Sequence, residues 1–129
     1  MSSPDSTPAD RRRRRSGGIG VVGPCGSGKT TLIAGLERHG IHARQIAQEH
    51  SHVVDMWQRL GSPDVLVFLD GSFETCTERK RFDWPRRDYL EQRRRLEHAR
   101  RACDLYVETD GLAPQAVLEL VLSALGRGS

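Results

Sequence analysis

The segment from Gly23 to Thr30 reads GPCGSGKT and constrains this chain more than any other. It fits the pattern G-x-x-x-x-G-K-[ST], with an apolar run, IGVV, just before it and a helical spacing just after. Glycines at these places permit positive φ and leave room for backbone N–H groups to converge on a phosphate. A helix beginning at Lys29 adds unpaired amides and the positive end of its dipole. With 13 Gly, 2 Lys and 16 Ser+Thr in the chain, an accidental match arises with a frequency of roughly 0.2%. The chain uses Arg 18 times and Lys only twice, and one of those lysines stands in this segment.

The flanking sequence alternates strand-like and helix-like segments. Residues 19–23 predict a first strand. Residues 30–39 predict a helix through Leu32, Ile33 and Leu36, with Gly40 where a C-terminal cap belongs. Residues 41–47 predict a second strand. Residues 52–60 predict a helix with Val53, Met56, Trp57 and Leu60 on one face, broken by Gly61, Ser62 and Pro63. The run VLVFL, residues 65–69, is apolar throughout and closed by Asp70, the mark of a strand covered on both faces in a parallel sheet. Helices follow over 73–80 and 86–102, the second with a thin apolar stripe of Tyr89, Leu96, Ala99 and Cys103. Residues 104–109 predict a last strand, and Pro114 opens a helix that Gly126 ends. This order predicts an α/β fold: three α/β/α layers with a short, mostly parallel sheet of about four strands and right-handed crossovers.

A length of 129 residues suits one domain. Residues 1–17 carry Arg11 to Arg15 and no large apolar residue after Met1, so they predict a disordered basic tail, with the domain spanning 18–126. Removing five Arg and two Asp of that tail from the totals leaves fifteen basic and fifteen acidic residues, so net charge implies no nucleic-acid patch on the body. The five arginines read as a solvated arm, with RNA, an acidic partner or an anionic membrane surface as the alternative. The apolar stretch after them is too short for a signal peptide, and no run of 18 apolar residues predicts membrane insertion. Cys25, Cys76 and Cys103 are odd in number and widely spaced, which points to a reducing, cytoplasmic setting. No Cys or carboxylate completes a zinc-ligand pattern with His50 and His52, so the sequence predicts no zinc site.

GPCGSGKTT after an apolar strand resembles the phosphate loop of the P-loop NTPase superfamily, and among its members the small nucleoside and nucleotide kinases. The stretch from Pro63 to Arg81 is similar to the late strand and arginine-bearing lid of those kinases, and DYLEQRRRLEHA to the helix after the lid. The resemblance implies binding of ATP with Mg²⁺ and transfer of the γ-phosphate to a small acceptor such as a nucleoside or nucleotide. It implies nucleotide contacts from Gly23, Gly26, Ser27, Gly28, Lys29, Thr30 and Thr31, with the Thr30 hydroxyl on the metal. Two carboxylates compete for the remaining role. Asp70 closes a Walker-B-like strand and is a candidate metal or catalytic group. Glu49, after the second strand, is a candidate base toward a substrate hydroxyl. Arg79 and Arg81 match the lid and would clamp the transferring phosphate. Arg93, Arg94, Arg95, Arg100 and Arg101 read as a solvated helix face.

The chain also departs from those kinases. Only 16 residues separate the second predicted strand from Asp64, too few for a further strand and an acceptor-binding insertion. A reduced NTP-binding regulatory module working with a partner is therefore the alternative, and an RNA-binding protein acting through the Arg tail is a second. The sequence contains no Asn, so the NKxD guanine-reading motif of regulatory GTPases is absent, and it contains no LSGGQ.

Overall fold

The computed structural model describes residues 18–53, 55–59, 63–80 and 84–126. The expected tail, Leu60, Gly61, Ser62, Arg81 and Phe82 lie outside the described residues. Four strands form: β1 (Ile19–Val22), β2 (Ala43–Gln45), β3 (Val65–Asp70) and β4 (Leu105–Glu108). They make one sheet in the order β2-β1-β3-β4, and every neighbouring pair is parallel. Between and after them run α1 (Lys29–Arg38), α2 (Met56–Arg59), α3 (Phe73–Lys80), α4 (Arg86–Ala102) and α5 (Pro114–Ala124), with a 3₁₀ turn at Gln48–His50. No helix among the described residues is long and apolar enough to cross a membrane.

The unbroken apolar run of β3 follows from what covers it. Side chains alternate between the two faces of a strand. Val67 and Leu69 join Ile19, Val21 and Val107 under Leu32 and Leu36 of α1 and Val117, Leu118 and Val121 of α5. Leu66 and Phe68 join Val22 beneath Trp57, Leu96 and Ala99 on the opposite face. The single polar residue of β3, Asp70, stands at its end. Gly35 lets α1 and α5 approach closely: a Cβ there would lie 2.9 Å from Leu118 Cδ2.

Two expected elements are shorter than the pattern suggests. β2 keeps three residues of the predicted seven. It is an edge strand, and after Ile46 donates to Val21 O at 3.0 Å the chain turns out of the sheet. Among the described residues of the predicted 52–60 helix, Met56–Arg59 are helical, and Val53 is 45% exposed whereas Trp57, expected on the same face, is buried. Local side-chain bonds replace helical ones there: Gln48 Nε2 donates to Val53 O at 2.8 Å, and Val53 N donates to Ser51 Oγ at 3.0 Å. Gln48 Oε1 then accepts from Trp57 N at 2.9 Å, so the buried Trp57 enters a helix that starts late.

Phe68 is the largest side chain that is almost wholly buried, 1% exposed and stacked on Tyr106 at 5.7 Å. Phe68→Ala should lower the unfolding free energy by about 3–5 kcal/mol, measured by urea denaturation.

Candidate functional site

The glycine-rich loop joins β1 to α1, and Gly28, in the left-handed conformation at φ 103, sits directly before the helix. Gly23 is required by a close approach: a Cβ on it would lie 2.3 Å from Leu69 O and 2.8 Å from Ser27 Oγ. The loop is thereby pressed against the end of β3. Lys29 opens α1 but folds back under the loop. Its Nζ donates to Gly23 O at 2.7 Å and to Pro24 O at 3.0 Å, and meets Glu49 Oε2 at 3.1 Å. Three donors thus have three acceptors, and both charged side chains are buried.

Glu49 arrives on the 3₁₀ turn after β2. The turn is pinned by Gln48, which is fully buried and also donates to Arg95 O at 3.2 Å, and by Arg95, whose Nη1 donates to Glu49 O at 3.3 Å. Glu49 is 1% exposed, and among the described residues its Oε1 has no hydrogen-bond partner. Ser27 Oγ, equally buried, has none either. Two buried polar atoms without partners at one loop are costly unless a ligand or water completes them.

Arg79 reaches the loop from α3. Its Nη1 donates to Ser27 O and Thr109 Oγ1, both at 3.1 Å, and its Nη2 to Thr109 O at 3.0 Å. These acceptors are all neutral, and the Asp110 carboxylate lies near enough to feel the Arg79 charge. A cavity of about 520 Å³ opens over the loop. Gly26, Ser27, Gly28, Lys29, Thr30 and Thr31 form its floor. Glu49, His50 and Gln45 stand on one side, and Arg79 with Leu112, Pro114 and Val117 on the other. Thr30 Oγ1 donates to Gln45 Oε1 at 3.4 Å.

The structure brings together most of the predicted residues. Gly23 lies behind the loop and contributes its carbonyl to Lys29. Asp70 is not brought in. It follows Leu66 and Phe68 in the alternation of β3 and so faces α4, where Arg93 grips both of its oxygens and Tyr106 donates to Oδ2. Arg81 lies outside the described residues. The rest of the expected lid packs as a junction: Trp84 stacks with Phe73 at 6.2 Å and donates to Thr77 Oγ1 at 2.7 Å, while the exposed Arg86 covers the Phe73 ring and pairs with Glu74.

Sequence reasoning missed Gln48 and Gln92. Gln92 lies on the buried stripe of α4 between Tyr89 and Leu96, and its Oε1 accepts from Cys25 N at 3.0 Å while its Nε2 donates to Cys25 Sγ at 3.3 Å. A polar residue at the helical spacing of an apolar stripe was the available signal. A scan against protein-family models gives no match, and neither does a search of curated proteins.

The Asp70 cluster makes a pH prediction. Burial, then the hydrogen bond to Asp70, pushes the Tyr106 phenol up from 10.0 to about 12. The protonated phenol therefore stabilises the fold fully below about pH 10, and that contribution is lost as pH rises toward 12. Urea midpoints should fall across this window, and Tyr106→Phe should flatten the fall.

Proposed function

We propose that this chain is a P-loop nucleotide-binding protein of the nucleoside- and nucleotide-kinase type, acting on Mg-ATP and a small hydroxyl or phosphate acceptor in a reducing, cytoplasmic setting. One observation carries the reading. The G-x-x-x-x-G-K-[ST] segment bridges the end of a central parallel strand and the start of a helix, with its lysine buried beneath the loop and a cavity above it. β2 and β3 lie on opposite sides of β1, so the loop also leaves the sheet where the strand order reverses, the usual binding crevice of open parallel sheets.

The residues present fit such a ligand. Gly23 leaves no room for a side chain, and Ser27 Oγ and Glu49 Oε1 are buried polar atoms without protein partners. Backbone amides over 26–31 would hold the phosphates, with Leu112, Pro114 and Val117 offering an apolar wall to the base. Lys29 would exchange a loop carbonyl and Glu49 for phosphate oxygens. Thr30 Oγ1 would hold Mg²⁺, whose chemistry here is to neutralise phosphate charge. Arg79, whose hydrogen bonds among the described residues go to neutral acceptors, would brace the transferring group. Glu49 becomes available only once Lys29 leaves it. Binding of phosphate would therefore free the carboxylate that takes the acceptor's proton.

A second reading is a nucleotide-binding module completed by a partner. It is favoured by the short connection between β2 and β3, which among the described residues holds only the 3₁₀ turn and the single helical turn of α2.

Calorimetric titration with Mg-ATP tests both readings. Wild type should bind saturably, and Lys29→Ala should weaken binding at least about tenfold, consistent with losing a charge-assisted contact. Glu49→Gln should still bind but should lose roughly 10²–10⁴-fold in phosphoryl transfer to an accepted acceptor. Binding without transfer to a broad acceptor panel would support the module reading. Absence of binding by folded wild type would overturn both.

A further inference from the structure

Cys25, Glu49 and His50 meet at the mouth of the loop, although 25 positions separate the cysteine from the histidine. Their nearest donor atoms all lie within 4.8 Å of one another. Cys25 Sγ is 3.5 Å from His50 Nε2, and His50 Nε2 is 3.7 Å from Glu49 Oε2. Zinc bonds of about 2.3 Å to sulfur and 2.0 Å to nitrogen or oxygen, at tetrahedral angles, set donor atoms about 3.3–3.6 Å apart. Two of the three separations lie close to that spacing and the third is within 4.8 Å, so small side-chain shifts would bring the three donors to one face of a coordination tetrahedron.

An independent observation also points to a ligand. Glu49 is 1% exposed, and among the described residues one carboxylate oxygen, Oε1, has no hydrogen-bond partner, while the other, Oε2, faces His50 and Lys29. The surrounding contacts suit a metal as well. Gln92 holds Cys25 by both its backbone N–H and its sulfur, Arg95 holds the Glu49 backbone carbonyl, and Lys29 shares Glu49 Oε2 with His50, so the carboxylate would turn from Lys29 to the metal. One sulfur, one imidazole nitrogen and one carboxylate oxygen form a zinc donor set, whereas Mg²⁺ takes oxygen alone.

We propose that Cys25, His50 and Glu49 form a three-ligand zinc site whose fourth position opens on the cavity. Thiolate and carboxylate neutralise the dication, and Lys29 leaves a net positive charge beside it. That charge favours water or an oxygen anion in the open position. All three ligands line the cavity, so the open position is reachable from solvent. The proposal does not rest on the nucleotide reading, and a Glu49 held by zinc would not serve as the base of that reading.

The test uses the full chain, stripped with a chelator, and no nucleotide. Co²⁺ is titrated in as a spectroscopic probe, and Zn²⁺ affinity is then read by competition with a chromophoric chelator. One Co²⁺ per chain should bind, with the intense visible bands of a tetrahedral site and a thiolate-to-cobalt charge-transfer band that Zn²⁺ abolishes. Cys25→Ser should remove the charge-transfer band. The His50 side chain is 59% exposed, so His50→Ala should keep the fold and still weaken Zn²⁺ by more than about tenfold. Cys103→Ser should change neither reading. Absence of binding, a six-coordinate spectrum without the charge-transfer band, or a band that survives Cys25→Ser would overturn the proposal.

Discussion

The ion pair between Lys29 and Glu49 joins the two halves of the site, and the surrounding structure is arranged to keep it dry. Taking both charges out of water costs several kcal/mol per ion, and a well-packed apolar pair of similar size is often as stable. The pair is therefore poor evidence for stability and better evidence for a site. Its geometry spreads outward from one nitrogen. Lys29 Nζ binds two carbonyls of the loop, Gly23 O and Pro24 O, so the end of β1 and the start of α1 are tied together. Through Glu49 it also reaches the turn after β2, and through Gln48 and Arg95 that turn is bound to α4.

The sheet decides which of the two competing carboxylates joins this pair. β3 is central, covered on both faces, and its side chains alternate strictly. Leu69 faces the α1 and α5 side, and its carbonyl is what Gly23 approaches. Asp70, one residue later, must face α4. It meets Arg93, Tyr106 and a desolvated environment in which a lone carboxylate would be untenable. Glu49 is free of that constraint because it stands on a turn beyond the edge strand. A strand that ends in an acid is thus a weak guide to a metal ligand unless the parity of that position in the strand is known.

Much of the fold was legible in the sequence because its signals are local. The glycine pattern, the apolar run of β3, the capping glycine after α1 and the proline opening α5 each act within a few residues. The four-strand parallel sheet follows from their order. What escaped was decided across the chain. Helical spacing places Val53 on one face with Met56 and Trp57, but Gln48 and Ser51 satisfy its backbone groups by side-chain bonds. Cys25 and His50 carried no mutual spacing signal, because only the parallel pairing of β1 with β2 brings the loop and the turn together. Lys29, Thr30, Glu49 and Arg79 were each readable by type, yet the buried pairing of Lys29 with Glu49 was not.

The arginines of α4 show how fine this division is. Read as one charged stretch, Arg93, Arg94 and Arg95 suggest a solvated face. On the helix they point in directions about 100° apart, set by 3.6 residues per turn. Arg94 projects outward to Glu91, and Arg100 and Arg101 share Glu97 in the same exposed manner. Arg93 turns to Asp70 at the end of β3, and Arg95 turns to the turn that carries Glu49. With Gln92 holding Cys25, one turn of α4 touches the loop, the central strand and the Glu49 turn. Any displacement of α4 therefore moves all three together. α4, whose buried stripe carries Gln92 beside Tyr89, Leu96 and Ala99, is thus the helix that reaches both the loop and the turn that carry the site.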